Sequence, residues 1–242
     1  MTTWWPYARI AAALLGTAAL VRQLSQSVGN AQASTTEWGS HIPTVVANFF
    51  SYFTVLSNVG AAVTLVIGAV WMLRTSSSTA AEPRWLATLF ACVSTYMIVT
   101  GIVYNLLLRN IPLDGVSEVW TNETMHVIMP LVMLADVLFA PRRRSLGWAT
   151  IFEAAIFPIV WAVYTLIRAG FITAPRDGRP QWYPYPFLDP TLAGASYVTV
   201  AVYIVAIAAA IIGVAGFVVW VGRRRDRRSQ GSSPGSRVLQ TR

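Results

Sequence analysis

Residues 192–221 decide the fold class, and they read LAGASYVTVAVYIVAIAAAIIGVAGFVVWV, without a single charged side chain. A helix needs about 20 apolar residues to cross the hydrocarbon core of a bilayer. Similar runs recur along the chain, of which 55% is hydrophobic and 12% charged. The sequence therefore predicts an all-α integral membrane protein, a six-transmembrane-helix bundle with spans at Trp5–Leu24, Thr44–Leu73, Trp85–Leu108, Val119–Phe139, Leu146–Ile167 and Leu192–Val221.

The arginines predict the orientation of this bundle. Thirteen of the 18 basic residues, all of them Arg, lie at the N-terminus, in the second and fourth loops and in the tail, and five lie on the opposite side. Because loops rich in Arg stay inside, we expect both termini in the cytoplasm. The expected location is the plasma membrane. An alternative is that the first span is a signal peptide cleaved near Ala31–Ala33, which would leave five spans and an external N-terminus.

Two domains are predicted, a six-helix transmembrane domain over residues 1–222 and an Arg-rich cytoplasmic tail over residues 223–242. The tail has too few apolar residues to bury a core, so we expect it to be disordered. It carries seven Arg beside an apolar span, a pattern that favours an anionic membrane surface over nucleic acid as its partner. Membrane lipids and a lipid-like small molecule are the expected partners, and the sequence identifies no protein partner.

No metal site and no cofactor are predicted. The chain has one cysteine, Cys92, and two histidines, which are too few for a Cys- or His-based metal site. It also contains no glycine-rich phosphate loop.

Polar residues recur on one face of the predicted second and fourth helices. At 100° per residue, each helix gathers its polar side chains into one stripe: Asn48, Ser51, Thr54 and Asn58 on the second, Asn122, His126 and Asp136 on the fourth. Polar groups are costly in hydrocarbon, so both stripes should face an inner pocket. The alternative is that these groups only bond the backbone or a neighbouring helix.

Helical rise predicts the depth of these groups. Thr54 lies about 15 Å and His126 about 10 Å from the outer ends of their predicted helices, so both should lie between the outer surface and the bilayer middle. Asp136 lies about 15 Å deeper than His126, close to Arg142–Arg144. We therefore expect Asp136 to form an ion pair or to serve as a boundary charge at the cytoplasmic side.

Three segments carry a family resemblance: Asn48–Asn58 (NFFSYFTVLSN), Trp120–Pro130 (WTNETMHVIMP) and Tyr183–Pro190 (YPYPFLDP). In this order they resemble the bacterial Pr6Pr family of six-helix membrane proteins, which is distantly similar to the FAR-17a/androgen-induced membrane proteins of animals. Members of the animal group are intramembrane hydrolases that cleave fatty acid esters of hydroxy fatty acids with a threonine and a histidine. The resemblance covers nearly the whole chain except the tail, and its motifs fall on Thr54 and His126.

The resemblance implies that the protein hydrolyses a lipid ester through a covalent acyl-threonine, with Thr54 as nucleophile and His126 as base. A threonine hydroxyl needs such a base, and histidine titrates near neutral pH. The supporting candidates are Asn48, Asn58, Asn105 and Asn122 as donors to the developing oxyanion, Glu123 or Asp189 to orient His126, and Tyr185 in the outer loop.

The outer loop 180–190 holds four prolines and four aromatic residues, which make it stiff and amphipathic. It is expected either to cap the pocket or to form an interfacial aromatic belt. Two other functions stay open from the sequence. One is a transporter or channel for a small or amphipathic molecule, and the other is a non-catalytic membrane scaffold.

Overall fold

The computed structural model describes residues 4–113 and 115–231, and within these ranges every regular element is a helix. The α-helices are α1 (Trp5–Ala33), α2 (Glu37–Ser40), α3 (Ile42–Phe49), α4 (Phe53–Arg74), α5 (Arg84–Val103), α6 (Val119–Glu123), α7 (Met129–Phe139), α8 (Thr150–Ala169) and α9 (Tyr197–Gly231). A π-helical turn, Tyr104–Leu108, extends α5, and another, Thr124–Ile128, joins α6 to α7. The loop before α9 contains a 3₁₀ turn at Pro186–Leu188.

Among the described residues, five helical segments are long and apolar enough to cross a membrane. They are Phe53–Arg74, Arg84–Leu108, Val119–Phe139, Thr150–Ala169 and Tyr197–Arg228. Their outward faces carry large apolar side chains, as on α8, where Phe152, Ile156 and Ile159 are each more than 60% exposed. An apolar surface of this kind is stable against lipid rather than water, so the protein is an α-helical membrane protein. Residues 5–33 form one long helix, but Arg9 and Arg22 interrupt its apolar run, and it is not among the five.

The predicted second span, Thr44–Leu73, is wrong as a single helix. The chain leaves the helical path at Phe50–Tyr52, so α3 ends at Phe49 and α4 begins at Phe53. Tyr52 is extended, with ψ of 128°, and the side chain of Ser51 turns back to the carbonyl oxygen of Ala47 at 2.7 Å. Thr54 is therefore the second residue of a helix, and not ten residues inside one. The predicted loop 25–43 is also mostly helical, as the end of α1, α2 and the start of α3.

The core lies where α1, α4, α5 and α7 meet, around Leu65, Phe90, Met97, Met129 and Met133. Small residues let the backbones approach closely, as expected between membrane helices. A Cβ atom on Gly68 would lie 2.5 Å from the ring of Phe90, and one on Gly101 would lie 2.9 Å from Pro130.

A buried ion pair fixes α1 against α7. The guanidinium of Arg9 donates to both carboxylate oxygens of Asp136 at 2.7 and 3.0 Å, and Arg143 approaches the same carboxylate at 3.3 Å. The expectation that Asp136 forms an ion pair near Arg142–Arg144 is thus confirmed. At its other end, α1 contacts the start of α6, where Gln23 donates to the carbonyl oxygen of Val116 at 2.6 Å.

Helix α9 runs through Gly231, past the predicted domain boundary at residue 222. The rest of the predicted tail, 232–242, lies outside the described residues, so the division into two domains stays a prediction.

Candidate functional site

Thr54 lies at the N-terminal end of α4, where the first backbone N–H groups of a helix have no partner within the helix. Its side chain is buried. Both its backbone N–H and its hydroxyl contact the hydroxyl oxygen of Tyr185, each at 3.1 Å. A residue 131 positions away in the sequence thus supplies the cap of α4.

Tyr185 reaches Thr54 from the outer loop, just before the 3₁₀ turn. Its ring stacks on Phe187 at 5.1 Å between centroids and meets Tyr52 edge to face at 5.5 Å. Burial raises the pKa of the Tyr185 phenol, although its hydrogen bonds with Thr54 oppose this shift. The phenol is therefore neutral at physiological pH, and it can position Thr54 but cannot act as a base toward it.

A small cavity of about 60 Å³ adjoins Thr54. Its wall is almost entirely apolar and comes from α4, α5, α8, α9 and the outer loop: Phe53, Thr54, Val99, Thr100, Val103, Leu108, Pro158, Trp161, Tyr185, Phe187, Ile207 and Ile211. A space of this size holds only a few water molecules, so an acyl chain would need the wall to move. Because Tyr185 and Phe187 form part of that wall, the outer loop lies over the cavity.

His126 lies on the π-helical turn between α6 and α7, and its ring stacks on Tyr104 with centroids 4.3 Å apart. Its Nδ1 is 2.9 Å from the carbonyl oxygen of Asn122. A carbonyl can only accept, so Nδ1 carries the proton, and Nε2 of the neutral imidazole is left as the basic nitrogen.

The side chain of Asn58 connects the segments that carry Thr54 and His126, and no direct hydrogen bond between these two residues is present in the described ranges. The side-chain amide of Asn58 donates to the carbonyl oxygens of Thr54 and Met125, at 2.9 and 3.1 Å, and Met125 precedes His126. His126 is not among the residues that line the cavity. Within the described ranges, no hydrogen bond links the threonine hydroxyl to the imidazole.

The other candidate donors have different surroundings. Asn122 is buried and donates to the hydroxyl of Tyr104 at 2.6 Å, whereas Asn105 is exposed and donates to the carbonyl of Gly101. Asn48 is buried, and neither atom of its amide has a hydrogen-bond partner among the described residues. Asn48 is thus the candidate whose side-chain N–H groups are available to donate to an oxyanion.

Neither proposed orienting carboxylate contacts His126. Glu123 pairs with Arg109 at 3.3 Å. Asp189 accepts from the backbone and hydroxyl of Thr191, at 2.9 and 2.6 Å, and from Arg179 at 2.9 Å. The group that orients the imidazole is the backbone carbonyl of Asn122, which no side-chain pattern could reveal.

The sequence places Tyr104 and Trp161 only on inward-facing stripes of the third and fifth predicted helices, and it assigns neither of them a role in the site. Tyr104 supports His126, and Trp161 lines the cavity while its indole N–H donates to the carbonyl oxygen of Ser51 at 2.9 Å. The signal for Tyr104 is its spacing, because Tyr96, Thr100 and Tyr104 recur every four residues and so lie on one face of the third predicted span.

Among the described residues, no cluster of His, Cys, Asp and Glu is arranged to hold a metal ion. Comparison of the chain with protein-family models, with curated proteins and with solved structures finds no match.

Proposed function

We propose that this protein is a six-span intramembrane hydrolase that cleaves lipid esters through Thr54. One observation carries the proposal: Thr54 lines an apolar cavity at the start of a membrane helix, beside backbone N–H groups. Helix N-termini stabilise negative charge. The developing oxyanion of an ester carbonyl would find such charge stabilisation there.

The first chemical step forms a bond between Thr54 Oγ1 and the ester carbonyl carbon, while Nε2 of His126 takes the hydroxyl proton. The tetrahedral intermediate then expels the alcohol, which takes that proton from His126. Water hydrolyses the acyl-threonine in the second half, with His126 again as base, and releases the fatty acid. This cycle needs no cofactor.

Substrate binding must rearrange the site. The hydroxyl oxygen of Tyr185 accepts a hydrogen bond from the backbone N–H of Thr54. The carbonyl oxygen of the substrate would replace it as acceptor when the outer loop moves away. The imidazole must also approach Thr54, and the π-helical turn that carries His126 offers a place for this adjustment because π turns depart from regular helix geometry.

Six spans are proposed because α1 covers the depth of its neighbours. The guanidinium of Arg9 contacts Met72 near the end of α4 and Asp136 near the end of α7, whereas Gln23 contacts Val116 and Ser117 before the start of α6. From Arg9 to Gln23 the helix advances by 14 residue steps, a rise of about 21 Å. The arginine distribution supports cytoplasmic termini, and the plasma membrane is part of the same proposal.

The test is covalent labelling of the purified protein by a fluorophosphonate probe, together with release of free fatty acid from lipid esters in detergent. We expect Thr54→Ala to abolish both signals and Thr54→Ser to retain some of each. Thr64→Ala is the matched control, since Thr64 is buried on the same helix and does not line the cavity. A folded Thr54→Ala protein that still takes the probe would overturn the proposal.

A second candidate, a transporter or channel, is favoured by one observation: the cavity wall does not include His126. In that case Thr54 would only bind the ligand. Flux of an amphipathic tracer in liposomes, unchanged by His126→Ala, would support this function over hydrolysis.

A further inference from the structure

A second, larger cavity of about 400 Å³ lies beside the loop that follows the C-terminal end of α4, whereas Thr54 lies at the N-terminal end of that helix. It is enclosed by the loop after α4, the segment between α7 and α8, and the end of α9. Its charged lining consists of Glu82, Arg142, Arg143, Arg144, Arg225 and Asp226, and its apolar lining includes Ala87, Ala91, Val137, Leu146, Val218 and Val219.

Part of the charge around this cavity is internally neutralised. Arg9 and Arg143 face Asp136 and Glu82, with N–O distances of 2.7 to 3.3 Å. Both guanidinium groups also lie over the ring of Phe90, at 4.4 and 4.2 Å from its centroid. Two positive and two negative charges thus form a closed, buried network.

The remaining arginines contact neutral oxygen atoms. Arg142 donates to the carbonyl oxygens of Ala80 and Thr75, Arg144 to that of Glu82, and Arg225 to those of Val137 and Ala140. Against these three positive charges the lining adds one carboxylate, that of Asp226. The cavity therefore has an excess of two positive charges.

Arg142 also adopts a backbone conformation that non-glycine residues rarely take, with φ of 62°. This turn places Arg142, Arg143 and Arg144 on the wall of one cavity. Strain of this kind persists where surrounding contacts hold it, and it is concentrated at binding sites.

We propose that this cavity binds the phosphate headgroup of an anionic membrane lipid. Arg142, Arg144 and Arg225 would hold the phosphate, because guanidinium groups form charge-assisted hydrogen bonds with phosphate oxygens. The apolar wall of α5, α7 and α9 would contact the glycerol and the first acyl carbons. Basic pockets between membrane helices on the cytoplasmic side bind anionic headgroups in this way.

This assignment goes beyond topology. Arginines that only mark the cytoplasmic side need no shared cavity and no apolar wall. Free phosphate could supply the same anionic group, but it would make no use of the apolar wall. An anionic lipid would contact both the charged and the apolar residues of the cavity lining.

The experiment measures the thermal unfolding of the purified full chain in a neutral detergent as lipid is added. We expect phosphatidylglycerol to raise the melting temperature saturably, and phosphatidylcholine to do so much less. Arg225→Gln should weaken the apparent affinity for phosphatidylglycerol about tenfold, the loss of one charge-assisted contact. Arg227→Gln is the matched control, because Arg227 is exposed on the same helix and carries the same charge.

Thr79→Glu keeps the test decisive if Arg225→Gln does not fold. Thr79 is an exposed residue of the cavity wall, so a carboxylate there should repel the headgroup without removing a structural contact. Equal affinities of Thr79→Glu, Arg227→Gln and the unaltered protein would overturn the proposal. Stabilisation by inorganic phosphate alone, equal to that by the lipid, would overturn the lipid as the source of the phosphate.

Discussion

Thr54 and His126 carry the proposed chemistry, so the losses of turnover caused by substituting each of them should not be additive. If the two side chains act as one unit, Thr54→Ala or His126→Ala alone should remove nearly all turnover, and the double variant should lose little more. Release of fatty acid by the four proteins, measured at equal concentration, checks this expectation. Additive losses would contradict a shared step.

Tyr185 offers a second test at the scale of a single atom. Tyr185→Phe keeps the ring that stacks on Phe187 but removes the oxygen that accepts the N–H of Thr54. We expect a loss of about 1 kcal/mol in the free energy of unfolding, as for one buried hydrogen bond. Tyr183→Phe, in the same loop, is the control. Equal melting temperatures of the two variants would count against the capping role.

Asp136 shows what a buried charge costs when its partner is removed. Asp136→Asn leaves Arg9 buried at 2% exposure without a carboxylate. Breaking a buried pair by removing one partner costs about 3–5 kcal/mol, so the variant should unfold at a much lower temperature. Glu118→Gln, which removes a carboxylate from an exposed pair with Arg22, should lower the melting temperature far less, because water screens an exposed pair. Similar melting temperatures for both variants would show that burial does not matter here.

At the scale of elements, the outer loop is held by the contacts of the Asp189 carboxylate with Thr191 and Arg179. Burial alone would raise the pKa of Asp189, but its hydrogen bonds with Thr191 and the nearby Arg179 hold the pKa below the usual 3.8. A lowered carboxyl pKa contributes stability that is present above the unfolded pKa and is lost as the pH falls through the folded value. The loop should therefore be held at neutral pH and released in acid.

Asp189→Asn tests whether the ionised carboxylate of Asp189 stabilises the loop. We expect the variant to melt below the unaltered protein at about pH 7, and the difference to shrink as the pH falls below 3.8 and Asp189 becomes protonated in the folded state as well. Asp177→Asn, in the same loop, is the control, because its carboxylate is exposed and bonds only the neighbouring Arg179 within the described residues. A difference that persists unchanged into acid would exclude ionised Asp189 as the cause.

At the scale of the whole molecule, the six-span topology can be mapped by cysteine labelling. In a background in which Cys92 is replaced by Ala, cysteines at Ser78 and Ser232 should react from the cytoplasm, and those at Ser34 and Thr173 from the exterior. The arginine asymmetry gives this expectation its physical reason. External labelling at Ser232 would refute it, and cytoplasmic labelling at Ser34 would indicate that α1 does not cross.

The sequence by itself determined the helical membrane class and the approximate position of five apolar helices. Hydropathy sums contributions from residues close together in the chain, and the cost of exposing the backbone in lipid leaves helices as the main solution. It also placed Asp136 beside Arg142–Arg144, because these residues are close together in the sequence.

Tertiary structure alone decided where the second predicted helix breaks and what surrounds Thr54. The cap of α4 comes from Tyr185, 131 residues away, and the imidazole of His126 is oriented by a backbone carbonyl rather than by Glu123 or Asp189. The partner that holds Asp136 most closely, Arg9, is likewise 127 residues away. Such contacts depend on which helices become neighbours, and periodicity along a single helix carries no information about its neighbours.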